Sequence, residues 1–134
     1  MIDHTGLTVS DFETSKAFYR AALAPIGYSL LKEIPRAVTG RTDVAGFGEA
    51  PKAEFWIGAG IPNKPPVHIA FRVTRRAQVD AFYKAALAAG GRDNGAPGNR
   101  PHYHEHYYGA FVDCIRLDPD GHNVEVVCHE SEEY

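Results

Sequence analysis

The sequence has no long apolar run and no basic cluster, and no export signal is expected. Its 134 residues carry 14 lysines and arginines against 17 aspartates and glutamates, for a formal net charge of -3. The longest basic run is Arg75-Arg76, so neither nucleic acid nor an anionic membrane surface is an expected partner. The N-terminal segment MIDHTGLTVSD has no basic region and no apolar core, so no signal peptide is expected and a cytoplasmic location is predicted. No apolar segment approaches membrane-spanning length.

Cysteine is also scarce, with Cys114 and Cys128 as the two examples. In a chain without an export signal, both thiols are expected to be free and buried rather than paired. The hydrophobic content of 44% and the charged content of 23% are ordinary for a globular protein. A chain of this length forms one domain or two closely joined half-domains.

What the sequence does contain is an internal repeat. His4–Leu23 and His68–Leu87 align with an offset of 64 residues, and from His4 to Gly27 ten of twenty-four positions are identical without a gap. A long period that occurs twice indicates one supersecondary unit that has been duplicated. Two such units are expected to bury their apolar faces together, around an axis of approximate twofold symmetry.

Alternation and capping patterns predict the order β-α-β-β-β in each copy. In the first copy the predicted elements are a strand at Ile2–Val9, a helix capped by Ser10 and ending near Leu23, and strands at Gly27–Ile34, Val44–Gly48 and Ala53–Ile57, with a loop at Arg36–Asp43. In the second they are a strand beginning at His68, a helix capped by Thr74, an extended loop at Gly90–Pro101, a strand at Ala110–Leu117, a tight turn at Asp118–Gly121 and a strand at Asn123–Cys128. The predicted modules are residues 1–60 and 67–134, with a proline-rich linker at 61–66.

Four ionisable residues occupy corresponding places in the two copies. His4 and His68 open the first strand of each copy, while Glu54 and Glu125 lie in the last strand of each. Strand alternation directs all four side chains away from the face that packs on the helix. Two imidazoles and two carboxylates that converge on the axis form a mixed N/O ligand set, which suits zinc, nickel, iron(II), cobalt or manganese rather than calcium. A single histidine or glutamate on a strand is more often merely solvated, so the prediction depends on the four together.

Four segments carry a resemblance to a known family: residues 3–11 (DHTGLTVSD), 17–19 (AFY), 67–71 (VHIAF) and 118–125 (DPDGHNVE). The chain resembles the vicinal oxygen chelate superfamily, the glyoxalase/bleomycin resistance/extradiol dioxygenase group. The resemblance implies an α+β fold in which tandem β-α-β-β-β modules form a mixed-sheet half-barrel cleft around a metal, often completed across a homodimer.

The same resemblance implies that His4, His68 and Glu125 bind a divalent metal, and that Glu54 matches the fourth ligand of the glyoxalase I type. It implies a glyoxalase-like lyase or isomerase in which Glu125 or Glu54 moves a proton on a small oxygenated substrate chelated to the metal. Two alternatives remain open at this point. One is a small ring-cleaving dioxygenase, and the other is a metal-free ligand-binding protein of the bleomycin-resistance type.

The most polar-aromatic segment of the chain runs from His102 to Tyr108 and alternates histidine with tyrosine and glutamate. An independent metal cluster of His102, His104 and His106 is not favoured, because alternating histidines on a surface are usually solvated. The preferred interpretation is a pocket rim with substrate contacts. The predicted pocket residues are Trp56, Arg100, Tyr103, His104, Tyr107 and Tyr108, and an arginine among Arg36, Arg41 and Arg100 is a candidate for an anionic substrate group.

Overall fold

The computed structural model describes residues 1–113 and 120–131, which form two four-stranded sheets. The first half contains β1 (Thr5–Val9), α1 (Phe12–Leu23), β2 (Ser29–Ile34), the short helix α2 (Arg36–Thr39), β3 (Val44–Gly48) and β4 (Phe55–Ala59). The second half contains β5 (His68–Val73), α3 (Arg76–Ala88), β6 (Arg92–Asn99), β7 (Tyr108–Asp113) and β8 (Asn123–Cys128). The predicted α+β class is therefore confirmed.

The two sheets have the same topology. The strand order is β1-β4-β3-β2 in the first sheet and β5-β8-β7-β6 in the second, and the first strand of each is parallel to its neighbour. The predicted duplication thus appears as two equivalent mixed sheets, each open at both edges. No described helix is long and apolar enough to cross a membrane.

The core lies between the sheets and the two long helices. Phe18 on α1 and Phe82 on α3 occupy equivalent buried places, as the repeat predicts. The rings of Phe55 and Phe71 meet edge to face with centroids 5.4 Å apart, so the cores of the two halves are continuous. Aromatic contacts of this geometry stabilise a core beyond the effect of buried area alone. Because the alternate residues of β1 and β5 are used in this packing, His4 and His68 are left on the other face.

The helix caps differ from the prediction. Asp11, not Ser10, caps α1, because its carboxylate accepts the Thr14 N–H at 3.1 Å, whereas the Ser10 N–H donates to Asp120 at 2.8 Å. Arg75 precedes α3 in the cap position and makes no side-chain cap bond, so the predicted Thr74 cap is also wrong.

Two predicted loops contain regular structure. Residues 36–39 form α2, and most of Gly90–Pro101 forms the edge strand β6. The glycines and Pro97 of β6 are tolerated because an edge strand has one unpaired side, and the pairing with β7 shifts register twice along it. Cys114, the end of the predicted strand at 114–117, and residues 118–119 of the predicted turn lie outside the described residues.

Candidate metal centre

The best-defined group of candidate functional side chains lies on the open face of the second sheet, the face away from the helices. Glu125 on β8 is buried, with 2% of its surface exposed. Its Oε2 lies 3.1 Å from Nε2 of His68, and its Oε1 accepts a hydrogen bond from the Tyr107 hydroxyl. A carboxylate this deeply buried requires a nearby positive charge as well as hydrogen-bond donors. The described side-chain partners of Glu125 are the His68 ring and the Tyr107 hydroxyl.

Both ring nitrogens of His68 face oxygen atoms. Nδ1 lies 3.2 Å from the carbonyl oxygen of Asn123, and Nε2 faces the Glu125 carboxylate. A neutral imidazole has one N–H and can satisfy only one of these acceptors. With Nδ1–H donating to the Asn123 carbonyl, the contact between Nε2 and Oε2 requires either a proton between the two atoms or a bound cation. With metal–ligand distances of about 2.1 Å, two adjacent ligands lie about 3.0 Å apart in octahedral geometry, which is close to the observed separation.

The first sheet presents a second donor pair. His4 and Glu54 immediately precede Thr5 and Phe55, the first residues paired between β1 and β4. Nδ1 of His4 lies 2.6 Å from the Asp3 carboxylate, which leaves Nε2 available as a ligand. Hydrogen bonds from the His4 ring and from Lys52 hold the pKa of Asp3 below its usual value. Glu54 is exposed, immediately precedes β4, and accepts a 2.6 Å hydrogen bond from the Tyr28 hydroxyl.

Glu54 and Glu125 are not equivalent in register, contrary to the prediction. β1 pairs with β4 so that Gly6 lies opposite Trp56, whereas β5 pairs with β8 so that Ala70 lies opposite Glu125. Since Ala70 is the repeat counterpart of Gly6, the counterpart of Glu125 is Trp56. The predicted parity holds, because Glu54 and Trp56 share one face of the sheet. The two carboxylates nevertheless differ by two residues in their position along the strand.

Three open pockets adjoin these donors. A cleft of about 440 Å³ between the edges of the two sheets is lined in part by His4, Glu54 and His68. A pocket on the first sheet includes His4 and Trp56, and a pocket of about 350 Å³ on the second sheet is lined by His68, Tyr103, Tyr107, Phe111 and Glu125. Within residues 1–113 and 120–131, no three His, Cys, Asp or Glu side chains are close enough together to hold a metal ion. Each half therefore contributes two candidate donors, His4 with Glu54 and His68 with Glu125, and each of these pairs is called a half-site; imidazole and carboxylate are groups that bind divalent cations.

The segment from Arg100 to Tyr108 forms one wall of the second pocket. Tyr103 and Tyr107 line it with ring centroids 5.1 Å apart, and the exposed His104 ring lies 5.5 Å from His129. The prediction that Tyr108 lines the pocket is wrong. It points to the opposite face, where its hydroxyl donates to Asp80 at 2.7 Å and its ring lies under the Arg76 guanidinium. Strand alternation beginning at Tyr108 accounts for this, since Tyr107 and Tyr108 must point apart.

Phe111 and Tyr28 belong to the site but were not predicted from the sequence. Phe111 pairs with Glu125 across β7 and β8, and Tyr28 reaches Glu54 from the residue before β2. Each is a common core residue type, and only the strand register identifies it as a site residue. No local sequence signal distinguishes them from the phenylalanines and tyrosines of the core.

Tyr107 is held in its neutral form. Burial, and secondarily its hydrogen bond to Glu125, raise the pKa of Tyr107 well above its usual value of 10.0. The hydroxyl is therefore protonated at neutral pH and donates a hydrogen bond to Glu125.

The change Tyr107→Phe tests this hydrogen bond. The pKa of Tyr107 is higher in the folded state than in the unfolded state. The hydrogen bond therefore stabilises the fold fully below pH 10, and this contribution is lost as the pH rises further. We expect the variant to be less stable than the parent by about 1–2 kcal/mol at pH 8, with the difference shrinking above pH 10. Urea unfolding of both proteins between pH 8 and 11 measures this difference. A difference that does not change with pH would contradict the assignment.

The sequence of residues 1–126 matches the model of the Glyoxalase/Bleomycin resistance protein/Dioxygenase superfamily. The chain belongs to this superfamily. The resemblance predicted from the DPDG segment and the paired histidines is thereby confirmed. No curated protein matches the sequence significantly.

Solved structures of the superfamily share the fold. A glyoxalase/bleomycin resistance protein from Albidiferax ferrireducens T118 is 26% identical, with a TM-score of 0.72 over 94% of this chain and 97% of that one. The fosfomycin resistance protein FosX from Listeria monocytogenes is 18% identical, with a TM-score of 0.64 over 96% and 90%. A glyoxalase I mutant from Zea mays is 18% identical, with a TM-score of 0.69, and the match covers 94% of this chain but 43% of that one. The last two likenesses establish the fold alone.

Proposed function

We propose that the protein is a divalent-metal-dependent enzyme, a glyoxalase-like lyase or isomerase that acts on a small oxygenated substrate. The observation that carries the proposal is the pair formed by His68 and the buried Glu125. Nε2 and Oε2 are separated by the distance expected of neighbouring metal ligands, while Nδ1 faces a backbone carbonyl that fixes the tautomer required for binding. The FosX protein has been solved in complex with Mn(II), which supports a divalent cation in this fold.

The proposed ligands are His4, His68 and Glu125, with Glu54 beside them. A bound divalent cation supplies Lewis-acid stabilisation of negative charge that develops on a substrate oxygen. His4 and His68 bind through Nε2, and their Nδ1 atoms are oriented by Asp3 and by the Asn123 carbonyl. Tyr107 holds Glu125 in place and keeps its own proton at the hydroxyl.

Glu54 is the proposed proton-transfer group. It is exposed and hydrogen-bonded to Tyr28, so its carboxylate reaches substrate more readily than the buried Glu125 does. In this assignment His4, His68 and Glu125 would hold the cation, and Glu54 would be available for proton transfer with the substrate.

The experiment that tests the function is a metal-dependent turnover assay. Adducts of 2-oxoaldehydes with thiols are supplied to protein treated with chelator, and zinc, nickel, cobalt, manganese or iron(II) is restored in turn. We expect one or more of these metals to restore turnover, and Glu54→Gln to lower turnover without releasing metal. Turnover that is absent with every metal, or is unaffected by chelator, would contradict the proposal.

A homodimer is the proposed assembly. In one chain the described donors form two half-sites on open sheet faces rather than one four-ligand cluster. Pairing the His4 half-site of one chain with the His68 half-site of a second chain completes both, and twofold symmetry produces two such sites.

Coexpression of His4→Ala and His68→Ala chains tests this arrangement. Each variant alone is expected to bind no metal. In a purified heterodimer one site carries both substitutions and the other carries neither, so about half an equivalent of metal per chain is expected. If both half-sites came from the same chain, each site of the heterodimer would keep one substitution and no metal would bind. A monomer in sedimentation at micromolar concentration would also contradict the dimer.

A metal-free ligand-binding protein of the bleomycin-resistance type is the second candidate. It is favoured by Trp56, which occupies the repeat counterpart of Glu125 and gives the first sheet an aromatic surface in place of a carboxylate. Tight binding of an aromatic ligand by protein that takes up no metal would support this candidate over the enzyme.

A further inference from the structure

Next to the pair formed by His68 and Glu125, the open face of the second sheet carries the aromatic ring of Phe111 and then the guanidinium group of Arg100. Glu125 on β8 pairs with Phe111 on β7, and Phe111 pairs with Gly95 on the edge strand β6. The Arg100 guanidinium lies over the Phe111 ring, 5.6 Å from its centroid. The His68 ring stacks on the same phenylalanine at 6.1 Å, with 22° between the planes. Phe111 thus connects the proposed metal ligand His68 with Arg100.

Arg100 forms no ion pair with a carboxylate in the part of the chain that the structure describes. Its guanidinium donates to the Ala96 carbonyl at 2.8 Å, and no carboxylate of residues 1–113 or 120–131 forms an ion pair with it. Its backbone N–H donates to the Tyr107 carbonyl at 2.7 Å, which fixes the arginine beside the pocket wall. An arginine held in this way keeps several N–H donors free, in a planar arrangement that matches a carboxylate.

The neighbouring backbone leaves room for this arrangement. A Cβ at Gly95 would lie 2.9 Å from Cδ2 of Phe111 and 3.3 Å from a guanidinium nitrogen of Arg100. Any larger residue at this position would displace the ring or the guanidinium. The glycine therefore permits the close approach of Phe111 and Arg100 on the open face.

The spacing across the sheet limits what this face accommodates. Neighbouring strands lie about 4.8 Å apart, so the backbones of Glu125 and Gly95, two strands apart, are separated by about 10 Å. A molecule that contacts both His68 and Arg100 must pass over the Phe111 ring. Phe111 lines the same pocket as His68 and Glu125. A flat, conjugated or aromatic spacer suits this surface, because it can contact the exposed part of the ring while its two ends reach polar groups.

We propose that the substrate is a planar anion whose carboxylate pairs with Arg100 and whose conjugated or aromatic centre stacks on Phe111. Two vicinal oxygens at its other end reach the His68 and Glu125 half-site. The chelating end rests on the proposed metal-dependent function, whereas the subsite formed by Arg100 and Phe111 rests on its own contacts and needs no metal.

The test compares 3,4-dihydroxycinnamate with its methyl ester, which has the same ring and the same vicinal oxygens but no anionic group. Dissociation constants are measured by calorimetry, with metal-free protein and with added Mn(II). We expect the parent to bind the acid at least about 10-fold more tightly than the ester, and Arg100→Gln to bind both equally. Arg100→Lys should show an intermediate preference, because it keeps the charge without the planar donors.

Arg20→Gln is the matched control, since it removes the same charge from the exposed surface of α1 and should leave the preference unchanged. Phe111→Leu should weaken the binding of the acid and of the ester by a similar factor, so that the ratio of their dissociation constants is unaltered. Equal binding of the two probes by the parent, an Arg100→Gln variant that keeps the preference, or no binding of either probe would overturn the proposal.

The two proposals fail in different ways. If Mn(II) leaves the affinity for both probes unchanged while the Arg100-dependent preference for the acid persists, the metal-dependent function is contradicted and the anion subsite is supported. If Mn(II) raises the affinity for both probes equally and the protein shows no preference for the acid, the metal site is supported and the anion subsite is overturned.

Discussion

Replacing His68 by alanine is expected to lower the affinity for a divalent metal by roughly 100-fold or more, because it removes a proposed ligand and leaves Glu125 with the Tyr107 hydroxyl as its remaining described partner. The fold should persist, since the His68 side chain lies on the open face and is about half exposed. Equilibrium dialysis with manganese and with zinc measures the affinity, and circular dichroism checks the fold.

His102→Ala is the matched control for this experiment. His102 is exposed and contacts the Tyr103 ring without reaching the half-site. Its substitution should leave metal affinity unchanged. If His68→Ala bound metal as tightly as the parent, the cation would lie elsewhere, and His104, His106 and His129 would be the first residues to substitute.

Replacing His122 by alanine is expected to lower the free energy of unfolding by about 3 kcal/mol. His122 is fully buried and links the two halves. Its Nδ1 accepts the Val67 N–H at 2.9 Å, and its Nε2–H donates to the Thr8 carbonyl at 3.0 Å. Truncation removes both bonds and leaves a cavity. Urea unfolding at neutral pH measures the loss.

A conservative change separates the hydrogen bonds from the packing. His122→Asn keeps an acceptor near the position of Nδ1 but cannot reach Thr8, so we expect it to lose about half as much stability as alanine. Metal affinity of the folded variants should be unaffected, because His122 does not contact the half-sites. A loss of less than 0.5 kcal/mol for His122→Ala, about the effect of an ordinary surface change, would contradict this role.

The order of elements was predictable because the sequence repeats and its strands alternate. The duplication around Phe18 and Phe82 is visible without a structure, and the parity of His4, His68 and Glu125 follows from counting residues along each strand. Strands such as Val44–Gly48 and Asn123–Cys128 were predicted with the observed bounds because both are short and rich in valine, phenylalanine or glycine between clear turns.

Other features depend on contacts between distant residues and left no local signal. The edge strand β6 contains glycine and proline that are typical of a loop, and it becomes a strand only by pairing with β7. Ser10 has the residue type of a cap, yet its backbone is bonded to Asp120, more than a hundred residues away. The register that makes Trp56 the repeat counterpart of Glu125 could not be predicted from the sequence either. Alternation determines which face of the sheet a residue lies on, but not its position along the strand.

The assembly of the site follows the same rule. Residue types and parity predict the candidate donors, whereas the partners that orient them are set by tertiary structure. Tyr107 was predicted as a pocket residue, but its bond to Glu125 was not. The Asn123 carbonyl and Tyr28 were not predicted at all, since a backbone oxygen and a single tyrosine carry no sequence pattern.

The most direct test of the central claim is the metal content of protein purified without chelator and without a histidine tag, measured by elemental analysis before and after incubation with each candidate metal. The proposed site predicts close to one equivalent of a single divalent transition metal per chain after loading, because a twofold dimer contains two sites. Less than about a tenth of an equivalent, with no uptake from any added metal, would contradict it.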